Sequence, residues 1–218
     1  MTLKFWARSF VVAALFGAAM PVFAAEITSP AKQAHVTDFA TGKVLFSKDA
    51  DAPMKPASMA KIMTVFVAFQ RIADGQLGMD DKFTISEKAW KKGGSRTFLE
   101  VGRTVSVREL LYGIIVQSGN DAAIVLAEGI SGTENAFAQE MNFWAKKIGM
   151  KNTNFRNSTG WPDPDLTTTA VDLNIMTAEL IRRFPADKYP DLYPIFAERE
   201  YTYNKIRQPN RNPLVYGT

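Results

Sequence analysis

Two stretches of the chain are apolar at nearly every position, 10–25 and 62–69, and most of the remainder alternates. The second stretch follows Pro56 and Ser58 and is closed by Asp74-Gly75. That punctuation predicts a helix over about 58–73, and apolar groups on every face predict that it is buried. Upstream, residues 33–39 and 43–47 read as two strands around Ala40-Thr41-Gly42, a hairpin with glycine at its turn. Downstream, 87–102 is polar and rich in Gly, Lys and Ser, which reads as loop with short structure. Residues 107–116 and 121–128 read as two apolar helices joined by Gln117-Ser118-Gly119-Asn120.

Phe137, Met141, Trp144 and Ile148 form one stripe of an amphipathic helix over 134–148, with Gly149 as its stop. A long loop with Pro162 and Pro164 fills 157–169. Thr169 can cap a further helix whose Leu173, Met176, Leu180 and Phe184 face inward. Residues 200–206 alternate like a strand. A strand pair, a block of helices and a returning strand predict an α+β fold with one antiparallel sheet assembled from both ends of the chain.

The first apolar stretch has a different character. Lys4 and Arg8 precede it, Pro21 interrupts it, and Val22-Phe23-Ala24 ends it in the manner of an export signal. Cleavage after Ala24 is preferred to cleavage after Ala25, which would place bulky Phe23 three positions back. The run is short for a membrane-spanning helix, so a cleaved signal over 1–24 is favoured over an uncleaved anchor. The expectation is a mature domain over 25–218 outside the cytoplasmic membrane, in the periplasm of a two-membrane cell.

Without Lys4 and Arg8 the basic residues fall from 26 to 24 against 22 acids, which leaves a net charge of +2. That is no footprint for nucleic acid. The chain has no cysteine and a single histidine, His35. Histidine–thiolate zinc sites and cysteine–histidine catalysis are thereby excluded, and no G-x-S-x-G elbow supports a triad built on His35. A hydrolase of this composition needs a base other than histidine.

One residue violates the pattern of the buried helix. Lys61 falls in its first turn, where the helix dipole disfavours a cation and burial removes its water. Ser58 stands three residues earlier, on the same helical face. A desolvated lysine loses affinity for its proton, and a neutral amine can take the proton of the Ser58 hydroxyl to make a nucleophile. Backbone N–H groups at the helix start could bind the resulting oxyanion. The competing reading is a capping serine beside a lysine whose stem alone is buried. S-x-x-K also occurs at Ser29-Pro30-Ala31-Lys32, before a strand, where it is read as chance.

Ser118-Gly119-Asn120 is a polar turn between two apolar helices, so its side chains need partners. The Ser118 hydroxyl could relay a proton from Lys61, and the Asn120 amide could bind Lys61 and a substrate carbonyl. Other polar residues read as structure. His35 is a strand residue, Phe137 and Trp144 are core, and Asp163 and Asp165 belong to a surface loop. Lys88, Lys91, Lys92 and Arg96 read as a solvated basic face that could border an acidic wall polymer.

PASMAKIMT at 56–64 and QSGNDAA at 117–123 resemble the first two motifs of the low-molecular-mass penicillin-binding proteins, and more narrowly the serine-type D-alanyl-D-alanine carboxypeptidases. The likeness extends through TGKVLFSKDAD at 41–51, IGMKNTNF at 148–155, TTTAVDL at 167–173 and YNKIRQPNRNPL at 203–214. The resemblance implies the penicillin-binding protein/serine β-lactamase-like fold, an antiparallel sheet flanked by helices with a helical subdomain. It implies Ser58 as the acylated nucleophile, Lys61 as its base, and Ser118 and Asn120 as relay and orienting pair. Gly119 and Arg211 fall to substrate binding, with Arg211 near the terminal carboxylate, where a guanidinium fork suits it. The implied substrate is a peptidoglycan stem peptide ending in D-Ala-D-Ala, the implied inhibitors are β-lactams, and neither metal nor cofactor is implied.

No Lys-Thr-Gly tripeptide, the family's third motif, occurs in the sequence. The C-terminal strands of the sheet, the β-rich domain and the membrane-anchoring helix of many relatives have no counterpart here. The domain over 25–218 is therefore expected to be incomplete, with membrane association possible only through absent parts. Two alternatives remain, an inactive fragment or peptidoglycan-binding pseudoenzyme and a serine β-lactamase. The second is disfavoured because Ala170 stands where a loop glutamate would precede Leu173-Asn174.

Overall fold

A computed structural model describes residues 27–217. The expected signal segment and its cleavage site lie outside these residues. Within them, residues 31–217 form one compact unit. Its centre is helix α1, Ala60–Ala73, in which Ala60, Met63 and the run from Val65 through Phe69 are buried. It begins from a single 3-10 turn, Ala57–Met59, and ends as expected at Asp74, with Gly75 at a φ of +70°.

Four helices pack around α1. They are α3, Val107–Gln117; α4, Asn120–Ser131; α5, Glu134–Ile148; and α6, Ala170–Arg183. Three of the four have a side-chain cap. Ser106 and Glu109 form a reciprocal capping box on α3, and the hydroxyls of Thr133 and Thr169 accept from Ala136 and Asp172 N–H on α5 and α6. Gly149 ends α5 in the left-handed region, as its position predicts.

The core between these helices is aromatic. Phe66 meets Trp144 and Phe184 edge to face at centroid distances of 5.7 and 5.6 Å, and Phe69 meets Phe184 at 5.5 Å. Burial of each ring contributes about 2–3 kcal/mol, and edge-on geometry adds a little more. Phe137 and Trp144 are core, as their stripe predicts.

The strands depart from expectation. Instead of one sheet from both ends, the described residues hold three separate two-stranded antiparallel sheets. β1, Ala34–Thr37, pairs with β2, Val44–Lys48, and packs on α6. β3, Lys82–Thr84, pairs with β4, Thr104–Ser106, which leads into α3. β5, Glu200–Tyr203, pairs with β6, Ile206–Pro209, and lies against α3. The single strand expected over 200–206 is thus a hairpin. Asn204 and Lys205 both take positive φ, +46° and +65°, and reverse the chain between Tyr203 and Ile206. Helix α2, Glu87–Lys91, capped by Ser86, is the short structure within the stretch read as loop.

Candidate active site

Ser58 lies in the 3-10 turn that opens α1, and Lys61 in the first turn of the helix proper. Ser58 lies inside the turn and is the N-cap of neither element, those positions being Pro56 and Met59, so it is not a capping serine. Its Oγ is 3.3 Å from Lys61 Nζ. Lys61 is 4% exposed, so head and stem are both buried. Its Nζ donates to the Thr159 carbonyl oxygen at 2.9 Å. Burial, reinforced by the positive charge of Arg211 and opposed by Asp121, lowers its pKa from the usual 10.5 to about 8.

Ser118 joins this pair. It closes α3 in the left-handed conformation, φ +60°, and with Ser58 and Lys61 it lines a cleft of about 130 Å³. The rest of the lining is apolar, from Ile62, Val65, Ile114, Ile115 and Phe196. A larger hollow of about 530 Å³ surrounds Met54, Lys55 and Asn154, but its lining holds no serine beside its lysine. Chemistry, not size, selects the smaller cleft.

The Ser118-Gly119-Asn120 turn is held by the loop that follows α2. Asn120 N–H donates to Ser95 O and its side-chain amide to Gly93 O, both at 2.8 Å. The amide thus faces the loop after α2, and it makes no hydrogen bond to Lys61. Gly119 caps α4 and is buried; a methyl group on it would lie 2.3 Å from Thr97 Oγ1. Asp121 is buried and accepts from the N–H groups of Thr97, Leu99 and Ala122 at 2.8, 3.1 and 2.9 Å. Arg211 N–H donates to Val116 O at 3.1 Å, which brings the 210–212 turn to the end of α3. Ser58, Lys61 and Ser118 therefore share one cleft, Arg211 acts on Lys61 by charge, and Gly119 and Asn120 follow Ser118 in the turn without lining the cleft.

Sequence reading missed the third side of this site. Residues 157–161 fold over the start of α1. Asn157 Oδ1 accepts from the N–H groups of Thr159 and Trp161, and Thr159 O meets Lys61. Lys55 Nζ donates to the carbonyl oxygens of Asp163, Pro164 and Leu166 and pins the loop beyond. Asn157 and Gly160 were the available signals, an Asx-turn former and a residue tolerant of positive φ. The basic face also takes a more specific form. Lys88 pairs with Glu134 at 2.6 Å, Lys91 with Glu87, and Lys92 lies 3.8 Å above the Trp161 ring centroid. His35 and Ser47 face each other across β1 and β2, which confirms a strand role.

A family model described as D-alanyl-D-alanine carboxypeptidase matches residues 20–218. The chain belongs to this family. It is 40% identical to the D-alanyl-D-alanine carboxypeptidase DacC of Escherichia coli, over 94% of this chain and 52% of that one. It is also 40% identical to DacF of Bacillus subtilis, over 87% of this chain and 49% of that one. Penicillin binding protein 5 from Haemophilus influenzae superposes with a TM-score of 0.81 at 37% identity, covering 88% of this chain and 56% of that one. A Streptomyces K15 DD-transpeptidase mutant superposes at 0.77 with 27% identity, over 88% and 78%. The fold is that of the penicillin-binding proteins, in α+β form. The chain spans about half the length of the curated relatives it matches.

Proposed function

We propose that the chain provides the catalytic centre of a serine-type D-alanyl-D-alanine carboxypeptidase, with Ser58 as nucleophile and Lys61 as base. The observation that carries this reading is the 3.3 Å contact between Ser58 Oγ and a buried lysine whose pKa is about 8. At neutral pH an appreciable share of that amine is unprotonated, and it can accept a proton from Ser58 as the oxygen attacks.

In the first half-reaction Ser58 Oγ bonds to the carbonyl carbon of the penultimate D-alanine, and its proton passes to Lys61. N–H groups at the start of α1 stabilise the oxyanion. The tetrahedral centre then expels the terminal D-alanine, whose nitrogen receives the proton through the Ser118 hydroxyl. In the second half-reaction water attacks the acyl-enzyme, Lys61 takes its proton, and Ser58 leaves reprotonated. The substrate is the stem peptide of peptidoglycan, and a guanidinium at Arg211 complements its terminal carboxylate. Gly119 and Asn120 fix the turn that presents Ser118 to the cleft. β-Lactams acylate the same serine.

A location outside the cytoplasmic membrane, in the periplasm, follows from the export signal read over 1–24. Among the described residues no helix is long and apolar enough to cross a membrane. The test is D-alanine release from a peptide ending in D-Ala-D-Ala, compared between the protein and Ser58→Ala. Release that Ser58→Ala abolishes supports the reading. Release that survives the substitution, or no release from the folded protein, overturns it.

A further inference from the structure

A second carboxylate, unused by the chemistry above, lies behind the lysine. Glu134 is the first residue of α5 and is 8% exposed. The helix N-terminus does not account for its orientation, because Thr133 already caps α5. Its Oε1 accepts from the Ser158 hydroxyl at 2.8 Å and from Ser158 N–H at 3.1 Å, and its Oε2 accepts from Lys88 Nζ at 2.6 Å. Ser158 is gripped on its other side as well, since its carbonyl oxygen accepts from the Thr64 hydroxyl at 2.7 Å. Thr64 is one helical turn beyond Lys61 on α1.

The next carbonyl along the chain, that of Thr159, is the one Lys61 meets at 2.9 Å. Thr159 itself is oriented by Asn157, which accepts its N–H at 3.2 Å and its hydroxyl at 3.0 Å. Four residues after Lys88, Lys92 stacks on Trp161. Helix α2 thus reaches this loop through Glu134, and the residue after α2 meets it at Trp161.

We propose that Glu134 is a positioning residue for the Lys61 amine: by holding both donors of Ser158 it aims the Thr159 carbonyl at Nζ and keeps the loop closed over the lysine. The proposal rests on the reading of Lys61 as the base. With one amine proton committed to Thr159 O, the lone pair of the neutral amine is left to face Ser58. The same loop excludes water, and burial is the chief cause of the lowered Lys61 pKa. The charges facing Lys61 are Arg211 from the C-terminal turn and Asp121 from α4. Those facing Glu134 are Lys88 and, farther off, Lys92.

Release of the grip admits water to Lys61. Water replaces the lost carbonyl as hydrogen-bond partner, so the net movement of its titration is upward. The experiment follows Lys61 by NMR of ¹³Cε-labelled lysine and, in parallel, the pH profile of penicillin acylation. Glu134→Ala is expected to move both to higher pH by about one unit, with acylation about tenfold slower near pH 7 and restored above about pH 9. Glu134→Gln keeps an acceptor for Ser158 and is expected to retain the wild-type profile.

Acylation slowed by one factor at every pH, an unmoved Lys61 titration in Glu134→Ala, or an equal shift in Glu134→Gln each overturns the proposal. If Glu134→Ala does not fold, Ser158→Ala decides. A smaller upward shift supports the proposal, and an unmoved titration overturns it. If the wild-type protein takes no penicillin, the proposed function fails, while the lysine titration still decides the role of Glu134.

Discussion

A methyl group placed on Gly160 would lie 1.7 Å from the carbonyl oxygen of Ala57, the residue before Ser58. Gly160 also has a φ of +75°. The loop over 157–161 is thus moulded onto the turn that carries Ser58, and the contact admits no side chain.

Gly160→Ala is therefore expected to destabilise the protein by about 2–4 kcal/mol, because backbone must move on one side or the other. Gly42 provides the control. It has a similar φ of +72°, but a methyl there meets nothing within 4 Å. Gly42→Ala is expected to cost only about 1–2 kcal/mol, the steric penalty of the left-handed region. Urea unfolding of the two variants measures the difference, and equal losses would contradict the packing argument.

The buried lysine has a cost visible in stability. Its folded-state pKa of about 8 lies below the usual 10.5, so between these values the unfolded chain binds the extra proton. Stability then rises with pH across that window, and below pH 8 the penalty of a buried ammonium is fully present. Lys61→Met removes the group. The stability advantage of Lys61→Met over the wild type is expected to shrink by up to about 3 kcal/mol as pH climbs from 7 to 10.5. Parallel stability curves would show that Lys61 is not desolvated.

Two charges tune the lysine in opposite directions. Arg211 lowers its pKa and Asp121 raises it. Arg211→Gln is expected to move the Lys61 titration to higher pH, an effect that weakens with added salt because Arg211 is exposed. Asp121→Asn is expected to move it to lower pH. The same change replaces a carboxylate that binds three backbone N–H groups, so it also costs about 3 kcal/mol of stability. Lysine NMR and denaturant unfolding read the two effects separately.

The helices and the Ser58–Lys61 contact were legible because each depends on a local rule. Apolar groups on every face of 62–69 require burial, and a lysine inside that burial requires a reason. Ser118 was legible for a similar cause, as a polar turn between two apolar helices. The strands were less so. β5 and β6 read as one strand because Asn204-Lys205 lacks the glycine that usually marks a two-residue reversal. Helix α2 is five residues long, too short for periodicity to show, although Ser86 at its cap was a usable signal.

What the sequence concealed was long-range. Nothing local indicates that Thr159 O faces Lys61, that Lys55 meets the carbonyls of Asp163, Pro164 and Leu166, or that Glu134 closes on Ser158. These contacts join residues roughly 25 to 110 positions apart, through backbone groups that leave no mark on composition. Asn120 shows the converse. Its motif suggested a contact with Lys61, and tertiary packing instead turns its amide to Gly93.

The most direct test of Ser58 as an acylated nucleophile is the intact mass of the purified protein before and after exposure to a penicillin, with Ser58→Ala beside it. The account predicts a covalent adduct equal to the intact drug on the wild type and none on Ser58→Ala. A folded wild-type protein that gains no mass, or an adduct that persists in Ser58→Ala, would contradict it.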